Sequence, residues 1–306
     1  MQGDLKVDQD HIIQKMVRWG NHKSSVRAMI LTSTRAIPGA ELDLFSDYDV
    51  ILVVQDVLPF YESRTWLDDF GGVLVVYRDP LKRYYGSQKF AYITQYGDGL
   101  KIDFTIWPVE ILSRISTVQS HPDDLDIGYL ILLDKDDLTA HLIPPAYKAY
   151  LPSPPDDMAY QRVIEEFFHE TTYVAKLLWR DELLPAKYGL DQVMKLNYLR
   201  QMLEWQIGIE HNWEAKSGAY GKGLKELLDP ETWSELESTY TGADLTENWT
   251  ALFNTITLFR KVAVGVGDHL GYNYPHELDE SMMSYLQKVK NLDAGAKSFR
   301  PGDTDG

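Results

Sequence analysis

The sequence predicts an α+β protein in which a mixed β-sheet domain with flanking helices is followed by an all-α helical-bundle domain. Three observations lead to this fold class. The first half of the 306-residue chain contains short apolar runs of strand length, separated by turns. A segment at 142–157 then holds five of the chain's 14 prolines. Beyond that segment, apolar residues recur at the three- and four-residue spacing of amphipathic helices.

Composition narrows the possible functions. Cysteine is absent, which excludes disulfides, thiolate metal sites and a cysteine nucleophile. The formal charge of −16 disfavours nucleic acid as a partner and weakly favours a small cationic substrate, although it also fits a well-solvated surface. No signal-peptide pattern and no apolar stretch of about 18 residues is apparent, so we expect a cytoplasmic protein without a membrane partner. It would be a monomer or a homodimer.

In the first domain, residues 8–19 carry the apolar spacing of an amphipathic helix, which ends at Gly20-Asn21. A second, short helix is predicted at 60–70, closed by Gly71-Gly72. A turn at 97–99 indicates a hairpin. Apolar or alternating runs predict six strands, at 26–31, 49–54, 73–77, 90–95, 100–107 and 130–136.

The second domain begins after the proline-rich segment, because proline interrupts both helices and sheet hydrogen bonding. One apolar stripe comprises Tyr160, Val163, Ile164, Phe167, Val174 and Leu178. Further helices are predicted at 191–210, 230–239, 247–270 and 276–290. We therefore predict a catalytic domain at 1–145, a linker at 146–157, a helical domain at 158–292 and a flexible tail at 293–306.

The stretch 29–54 carries the chemistry around which the first domain is organised. An apolar run leads into the polar turn 32–35, and the chain returns with Asp47 and Asp49 at the mouth of the next apolar run. Side chains alternate along a strand, so these two carboxylates project on one side, about 7 Å apart. Such a pair can bind hard cations such as Mg²⁺.

A third carboxylate lies on the strand at 100–107, where Lys101, Asp103 and Thr105 face one way and apolar residues the other. Taken alone, Asp103 fits a solvated position on an exposed strand face better than it fits a functional site. Together with Asp47 and Asp49, beside a turn of small residues, it suits two-metal phosphoryl chemistry. Asp103 could also take the proton from an attacking hydroxyl.

One face of the first helix in the second domain is polar. At 100° per residue, Glu166, His169, Tyr173 and Lys176 fall on one stripe, away from the apolar one. Lys176 could reach phosphate as a point charge, Tyr173 could stack or donate, and Glu166 could bind a cationic acceptor. A solvated helix face is the alternative. Glu204, on a later helix, could also serve the acceptor, or be a surface residue.

This pattern resembles the nucleotidyltransferase superfamily, whose signature is Gly-Ser, a spacer, Asp-x-Asp and a distant third carboxylate. More narrowly, the chain resembles the aminoglycoside 6-adenylyltransferases, which adenylylate streptomycin. The resemblance covers most of the chain. In the first domain it rests on Thr34-Arg35, the segment 45–49 and the segment 98–105. In the second it rests on the segments 166–167, 173–176, 199–205, 208–210, 238–240 and 258–261.

The resemblance implies a nucleotidyltransferase-type first domain that binds ATP as co-substrate, with two Mg²⁺ ions as cofactors. Asp47, Asp49 and Asp103 would be the metal ligands and catalytic residues, with Asp103 as general base. The groups that contact the nucleotide would be Ser33, Thr34, Arg35, Lys176 and Lys222. The groups that bind the acceptor would be Glu166, Tyr173 and Glu204.

The chain departs from the family pattern at three positions. Ser33 replaces a glycine, which predicts either a phosphate loop further from the triphosphate or weakened activity. Gly218-Ala219 stands where the family has Gly-Lys, so Lys222 or Lys176 would carry more of the phosphate charge. His169 replaces an aromatic residue. Two rival interpretations therefore stay open: a nucleotidyltransferase with another small-molecule or protein acceptor, and a catalytically silent nucleotide-binding homologue.

Overall fold

The computed structural model describes residues 10–299, which form two compact units. The first unit ends at Tyr150 and the second begins at Leu151, inside the segment 146–157. Residues 8 and 9 of the predicted first helix, and residues 300–306 of the predicted tail, lie outside the described residues. One unit is built on a mixed sheet and the other on helices, so the predicted α+β class is confirmed.

A seven-stranded sheet forms the first unit. Its strands are β1 Val26–Thr32, β2 Tyr48–Val54, β3 Val73–Arg78, β4 Lys82–Tyr84, β5 Ser87–Tyr96, β6 Lys101–Pro108 and β7 Tyr129–Asp134. Their order is β3-β5-β6-β2-β1-β7, and β4 pairs with the start of β5. Within the described residues, β2 and β6 are the one parallel pair, and the remaining pairs are antiparallel. That parallel pair brings the beginnings of two strands together.

Both faces of the central strands are buried, except where each strand starts. On β2, Val50 and Leu52 enter one apolar cluster, while Ile51 and Val53 enter another on the opposite face. Burying each such side chain contributes about 1.5–3 kcal/mol, which holds the alternation in place. The second cluster is closed by the short helices α3 Val109–Ile115 and α4 Asp123–Asp126. Polar residues at the start of β2 and β6 lie on the same face of the sheet as this second cluster.

The first apolar cluster is covered by α1 His11–His22, which buries Ile13 and Met16. Asp10 begins this helix by accepting hydrogen bonds from the N–H groups of Ile12 and Ile13. The helix predicted at 60–70 is not continuous in the structure. It consists of α2 Leu58–Glu62 and a separate 3₁₀ turn Thr65–Asp69, because Ser63 between them adopts an extended conformation.

The second unit is helical. Its α-helices are α5 Asp157–Trp179, α6 Leu183–Lys187, α7 Arg200–Glu210, α8 Leu224–Leu227, α9 Pro230–Ser238, α10 Leu245–Leu270 and α11 His276–Lys290. Phe167 of α5 stacks on Phe259 of α10 at 3.7 Å between ring centroids, in the centre of one large apolar cluster. None of the helices within residues 10–299 is both long and apolar enough to cross a membrane.

The segment Tyr188–Leu199, between α6 and α7, is π-helical rather than α-helical. Buried Lys195 lies on it and donates hydrogen bonds to Asp191 Oδ1 at 2.7 Å and to the carbonyl oxygen of Thr239. The wider helical turn is typical of segments that position such polar groups. The sequence pattern predicts only an ordinary helix here, starting at residue 191.

Candidate active site

The carboxylate cluster arises from the pairing of β2 with β6. In this parallel pair Tyr48 lies beside Ile102, and Asp49 lies beside Asp103. Paired residues on parallel strands point to the same face, so the carboxylates of Asp49 and Asp103 are neighbours. Asp47 precedes β2 and meets Lys101, at the start of β6. The structure therefore brings together the three aspartates on which the sequence interpretation depends.

A lysine lies among these aspartates. The Nζ atom of Lys101 donates a hydrogen bond to Asp47 Oδ2 and another, at 3.0 Å, to Asp103 Oδ2. Burial disfavours the lysine's charge, but the two carboxylates outweigh it and raise the pKa of Lys101. The ammonium group is therefore a fixed positive charge within the cluster.

Two of these aspartates, Asp49 and Asp103, hold protons more tightly than ordinary carboxyl groups. Burial, with the negative charge of Asp103, raises the pKa of Asp49 to about 6, although a hydrogen bond from the Ser33 side chain opposes the shift. Burial also raises the pKa of Asp103, against the contact with Lys101. Burial is the largest cause of both pKa shifts, and the negative charges of neighbouring aspartates add to it. Such perturbed groups are characteristic of functional sites.

One carboxylate oxygen of the cluster is buried without a group that offsets the cost of its burial. Asp103 Oδ1 is buried and accepts no hydrogen bond of normal geometry from any residue between 10 and 299. A buried, unpartnered acceptor is costly, and a cation would satisfy it. Within the same range, no three His, Cys, Asp or Glu side chains are arranged to hold a metal ion. The oxygen donors nevertheless fit the ligand chemistry of Mg²⁺, with Lys101 lying between two of them.

The turn after β1 lies beside this cluster. Thr32, the last residue of β1, pairs with Asp49, and the chain then forms the 3₁₀ turn Ser33–Ala36. Ser33 has a φ of 63°, a left-handed conformation that favours glycine. Its hydroxyl donates to Asp49, while the side chain of Thr34 is exposed. The departure from the family's glycine thus occurs at a position where the backbone itself favours glycine.

We expect Ser33→Gly to be more stable than Ser33→Ala by about 1 kcal/mol, because only alanine keeps a Cβ atom in the left-handed conformation. Both variants lack the hydroxyl, so the comparison isolates the backbone. Urea unfolding monitored by circular dichroism measures the difference. The matched control is Ser113, inside α3, where glycine should be the less stable replacement by about 1 kcal/mol. Equal stability of the two Ser33 variants would show that the turn is unstrained.

Arg35 holds the chain that enters β2. Its guanidinium lies 3.7 Å from the centre of the Tyr48 ring, and its Nε and Nη2 atoms donate to the carbonyl oxygens of Asp47 at 3.0 Å and Ser46 at 2.8 Å. Asp10 contacts both the guanidinium, at 3.5 Å, and the Tyr48 hydroxyl, at 2.7 Å. Arg35 therefore positions the Asp47 backbone. Its predicted contact with nucleotide stays a prediction.

Three predicted residues lie on α5 in the second unit. Lys176 Nζ lies 4.3 Å from the centre of the Tyr173 ring, and the rings of His169 and Tyr173 meet edge-on at 5.2 Å. Glu166 is exposed, and its charge, after burial, contributes to a raised pKa of Tyr198. His169, Tyr173 and Lys176 of the polar stripe thus contact one another, whereas the contacts of the stripe with ligands stay predictions.

Glu204 and Lys222 lie elsewhere in the second unit. Glu204 Oε1 accepts hydrogen bonds from Arg200 Nη1 and Ser217 Oγ, both at 2.7 Å. Its charge is thereby largely compensated, and it connects α7 to the loop that carries Gly218 and Lys222. Lys222 is exposed. The roles predicted for both residues toward ligands stay predictions.

A family model described as streptomycin adenylyltransferase matches residues 7–289, nearly the whole chain. The chain belongs to the streptomycin adenylyltransferase family. The resemblance stated from the sequence is therefore confirmed, and so is the enzyme class, because the relatives in this family are nucleotidyltransferases. The aspartate cluster and the neighbouring turn lie within the matched residues.

Relatives of this family match over most of their length. The aminoglycoside 6-adenylyltransferase of Bacillus subtilis is 30% identical over 267 residues, which cover 86% of this chain and 91% of the relative. That of Campylobacter jejuni is 30% identical over 268 residues, covering 87% and 90%. A crystal structure of a B. subtilis aminoglycoside 6-adenyltransferase is 26% identical, with a TM-score of 0.46, and covers 92% of this chain and 98% of that one.

The sequence interpretation missed three residues at the site of this family member. Alternation along β6 puts Lys101 on the same face as Asp103, and this pattern is the signal that could have identified the contacts of Lys101 with the aspartates. Asp10 and Tyr48 both contact the Arg35 guanidinium, and they are hydrogen-bonded to each other. No local sequence pattern indicates that Asp10, which precedes α1, reaches a residue of β2. Only the packing of α1 against the sheet brings them together.

Proposed function

We propose that this enzyme transfers AMP from Mg-ATP to a hydroxyl group of an aminoglycoside, at the 6-position of a streptomycin-like acceptor, and releases pyrophosphate. The observation that carries the proposal is the pairing of Asp49 with Asp103, next to Asp47 and behind a turn of small residues. Membership of the streptomycin adenylyltransferase family supports the reaction class. The names of the relatives support the acceptor class.

Asp47, Asp49 and Asp103 would hold the magnesium ions, since their oxygens cluster and Asp103 Oδ1 has no hydrogen-bond partner within the described residues. When bound, magnesium would offset the negative charge of the triphosphate. The raised pKa values of Asp49 and Asp103, caused mainly by burial and further by the neighbouring carboxylates, support this assignment, because a bound cation would stabilise their charged forms.

Asp103 would act as general base. Its raised pKa and its unpartnered Oδ1 suit a carboxylate that receives a proton from the acceptor hydroxyl. The hydroxyl oxygen then forms a bond to the α-phosphorus, and the bond from that phosphorus to the bridging oxygen of the β-phosphate breaks. Pyrophosphate leaves with the electron pair, and the proton stays on Asp103.

The remaining residues would bind the two substrates. Ser33 and Thr34 would contact phosphate oxygens from the turn, and Lys176 and Lys222 would contribute positive charge. Glu166, Tyr173 and Glu204 would contact the acceptor. A chain with a formal charge of −16 suits an acceptor that carries guanidinium groups, as streptomycin does.

Incubation of the purified protein with Mg-ATP and streptomycin tests this proposal. We expect pyrophosphate release that depends on streptomycin, and a product whose mass is that of the drug plus one AMP group. Fragmentation of the product then locates the modified hydroxyl. Pyrophosphate release with another aminoglycoside or with a protein, but not with streptomycin, would show that streptomycin is not the acceptor. Absence of release with every acceptor, despite nucleotide binding, would favour the silent homologue.

A further inference from the structure

Lys101 occupies the centre of the aspartate cluster. Its Nζ atom contacts Asp47 Oδ2 and, at 3.0 Å, Asp103 Oδ2, and the three side chains are 30%, 34% and 22% exposed. Asp47 directly precedes β2 and Asp103 lies on β6, and a single ammonium group connects them. A cation bound by the same two oxygens would have to lie where this ammonium group lies.

The lysine also accounts for the lack of a preformed metal site. Within residues 10–299, no three acidic or histidine side chains are arranged around a common point, although three aspartates lie together. Two of the six carboxylate oxygens are turned toward Lys101 instead. Asp103 Oδ1 is not turned toward Lys101, and it has no hydrogen-bond partner in the described part of the chain. Two of the three carboxylates are thus arranged around the ammonium group of Lys101.

We propose that Lys101 is an intramolecular counter-ion, which binds Asp47 and Asp103 in the metal-free enzyme and is displaced when a divalent cation binds them. This inference rests on the proposed magnesium ligands and goes beyond them, because it assigns the lysine a role that opposes metal binding. A divalent cation that binds these two oxygens would take the position of the ammonium group and repel it, since charges this close interact strongly in a half-buried site. The lysine's flexible stem of four carbons allows the ammonium group to move away.

This exchange has a physical advantage for the metal-free protein. Without a cation, three adjacent carboxylates would repel each other where β2 and β6 begin and would destabilise the pairing of these two strands. Lys101 lowers that repulsion before any metal arrives. The corresponding disadvantage is weaker metal binding, because each metal ion must first break both contacts of the lysine.

Binding of Mn²⁺ to the full chain without nucleotide tests the exchange. The amount of free Mn²⁺, measured by electron paramagnetic resonance, gives the affinity of the wild type and of Lys101→Met, which keeps the length of the side chain and removes its charge. We expect Lys101→Met to bind Mn²⁺ about five to thirty times more tightly, the change that corresponds to losing two half-buried ion pairs. Lys89→Met is the matched control, because Lys89 pairs with Asp124 at 2.9 Å outside the cluster. Its affinity should equal that of the wild type.

Thermal unfolding of the same proteins supplies a readout that does not depend on counting the metal. In the presence of a chelator, Lys101→Met should unfold at a lower temperature than the wild type, and saturating Mn²⁺ should raise its Tm by more. If the wild type binds Mn²⁺ and Lys101→Met binds it equally or more weakly, the proposed displacement of Lys101 is wrong, but the proposed metal ligands are not contradicted. If neither protein binds Mn²⁺, the exchange and the proposed metal ligands fail together.

Discussion

Asp103→Asn is expected to reduce adenylyl transfer by at least about a thousandfold, because asparagine can neither accept the proton of the acceptor hydroxyl nor supply a charged oxygen to a metal ion. The side chain has almost the same shape, so the pairing of β2 with β6 should persist. The loss should therefore appear in turnover and not in folding. Mass spectrometry of the drug after incubation with Mg-ATP measures it directly.

The control for this variant is Asp98→Asn. Asp98 lies in the turn that leads into β6, where its carboxylate accepts a hydrogen bond from the N–H of Leu100 at 3.2 Å. It is close to Asp103 in sequence but does not belong to the aspartate cluster, so its removal should leave transfer unchanged. Transfer by Asp103→Asn at the rate of the control would disprove the mechanism, whichever acceptor is used.

Asp49→Asn is expected to stabilise the metal-free protein at pH 8 by about 1–3 kcal/mol while it abolishes transfer. The pKa of Asp49 is about 6 in the folded protein, because of burial and the charge of Asp103, against an ordinary value of 3.8. Ionising this group is therefore harder in the folded state than in the unfolded chain. Asparagine removes both the buried charge and the repulsion, and its carbonyl can still accept the Ser33 hydrogen bond.

The pH dependence follows from the same shift. Below the ordinary pKa of 3.8, both states of Asp49 are protonated and the group contributes nothing. As the pH rises toward about 6, the unfolded chain releases its proton first, so the folded state loses stability, and above that value the loss is constant. The gain from Asp49→Asn should therefore be large at pH 8 and vanish near pH 4.

Urea unfolding at both pH values, in the presence of a chelator, measures the effect of Asp49→Asn. Glu41→Gln is a suitable control, since Glu41 is an exposed carboxylate in the loop before β2. It should change stability by less than about 0.5 kcal/mol at either pH. A stabilisation of Asp49→Asn that is the same at pH 4 and pH 8 would contradict the raised pKa as its cause.

The outline of the aspartate cluster could be predicted because it depends on short-range patterns. Alternation along β6 separates Asp103 from the apolar residues, and the burial of that strand follows the alternation from Lys101 to Ile106. The sequence alone could not determine that β2 pairs with β6, because four other strands were available as neighbours. That pairing depends on tertiary packing, and without it Asp49 and Asp103 are unrelated aspartates.

Other features depend on contacts that leave no local signal. The Arg35 guanidinium stacks on Tyr48 and donates to backbone carbonyls, whereas an arginine beside a phosphate-binding turn predicts a nucleotide ligand. The π-helical segment Tyr188–Leu199 has the apolar spacing of an ordinary helix, and a buried lysine within it is visible only after folding. Both cases involve polar groups whose partners are distant in sequence.

The parallel pairing of β2 with β6 has a consequence for the accuracy of folding. A shift of β6 by one residue would turn Asp103 to the face where Ile102 and Phe104 now pack, and would move those apolar side chains to the carboxylate face. A carboxylate forced into an apolar core costs several kcal/mol, so a sheet with this error would not persist. The aspartate that the chemistry requires therefore also helps to fix the register of the sheet, because it disfavours any alignment of β6 that is shifted by one residue.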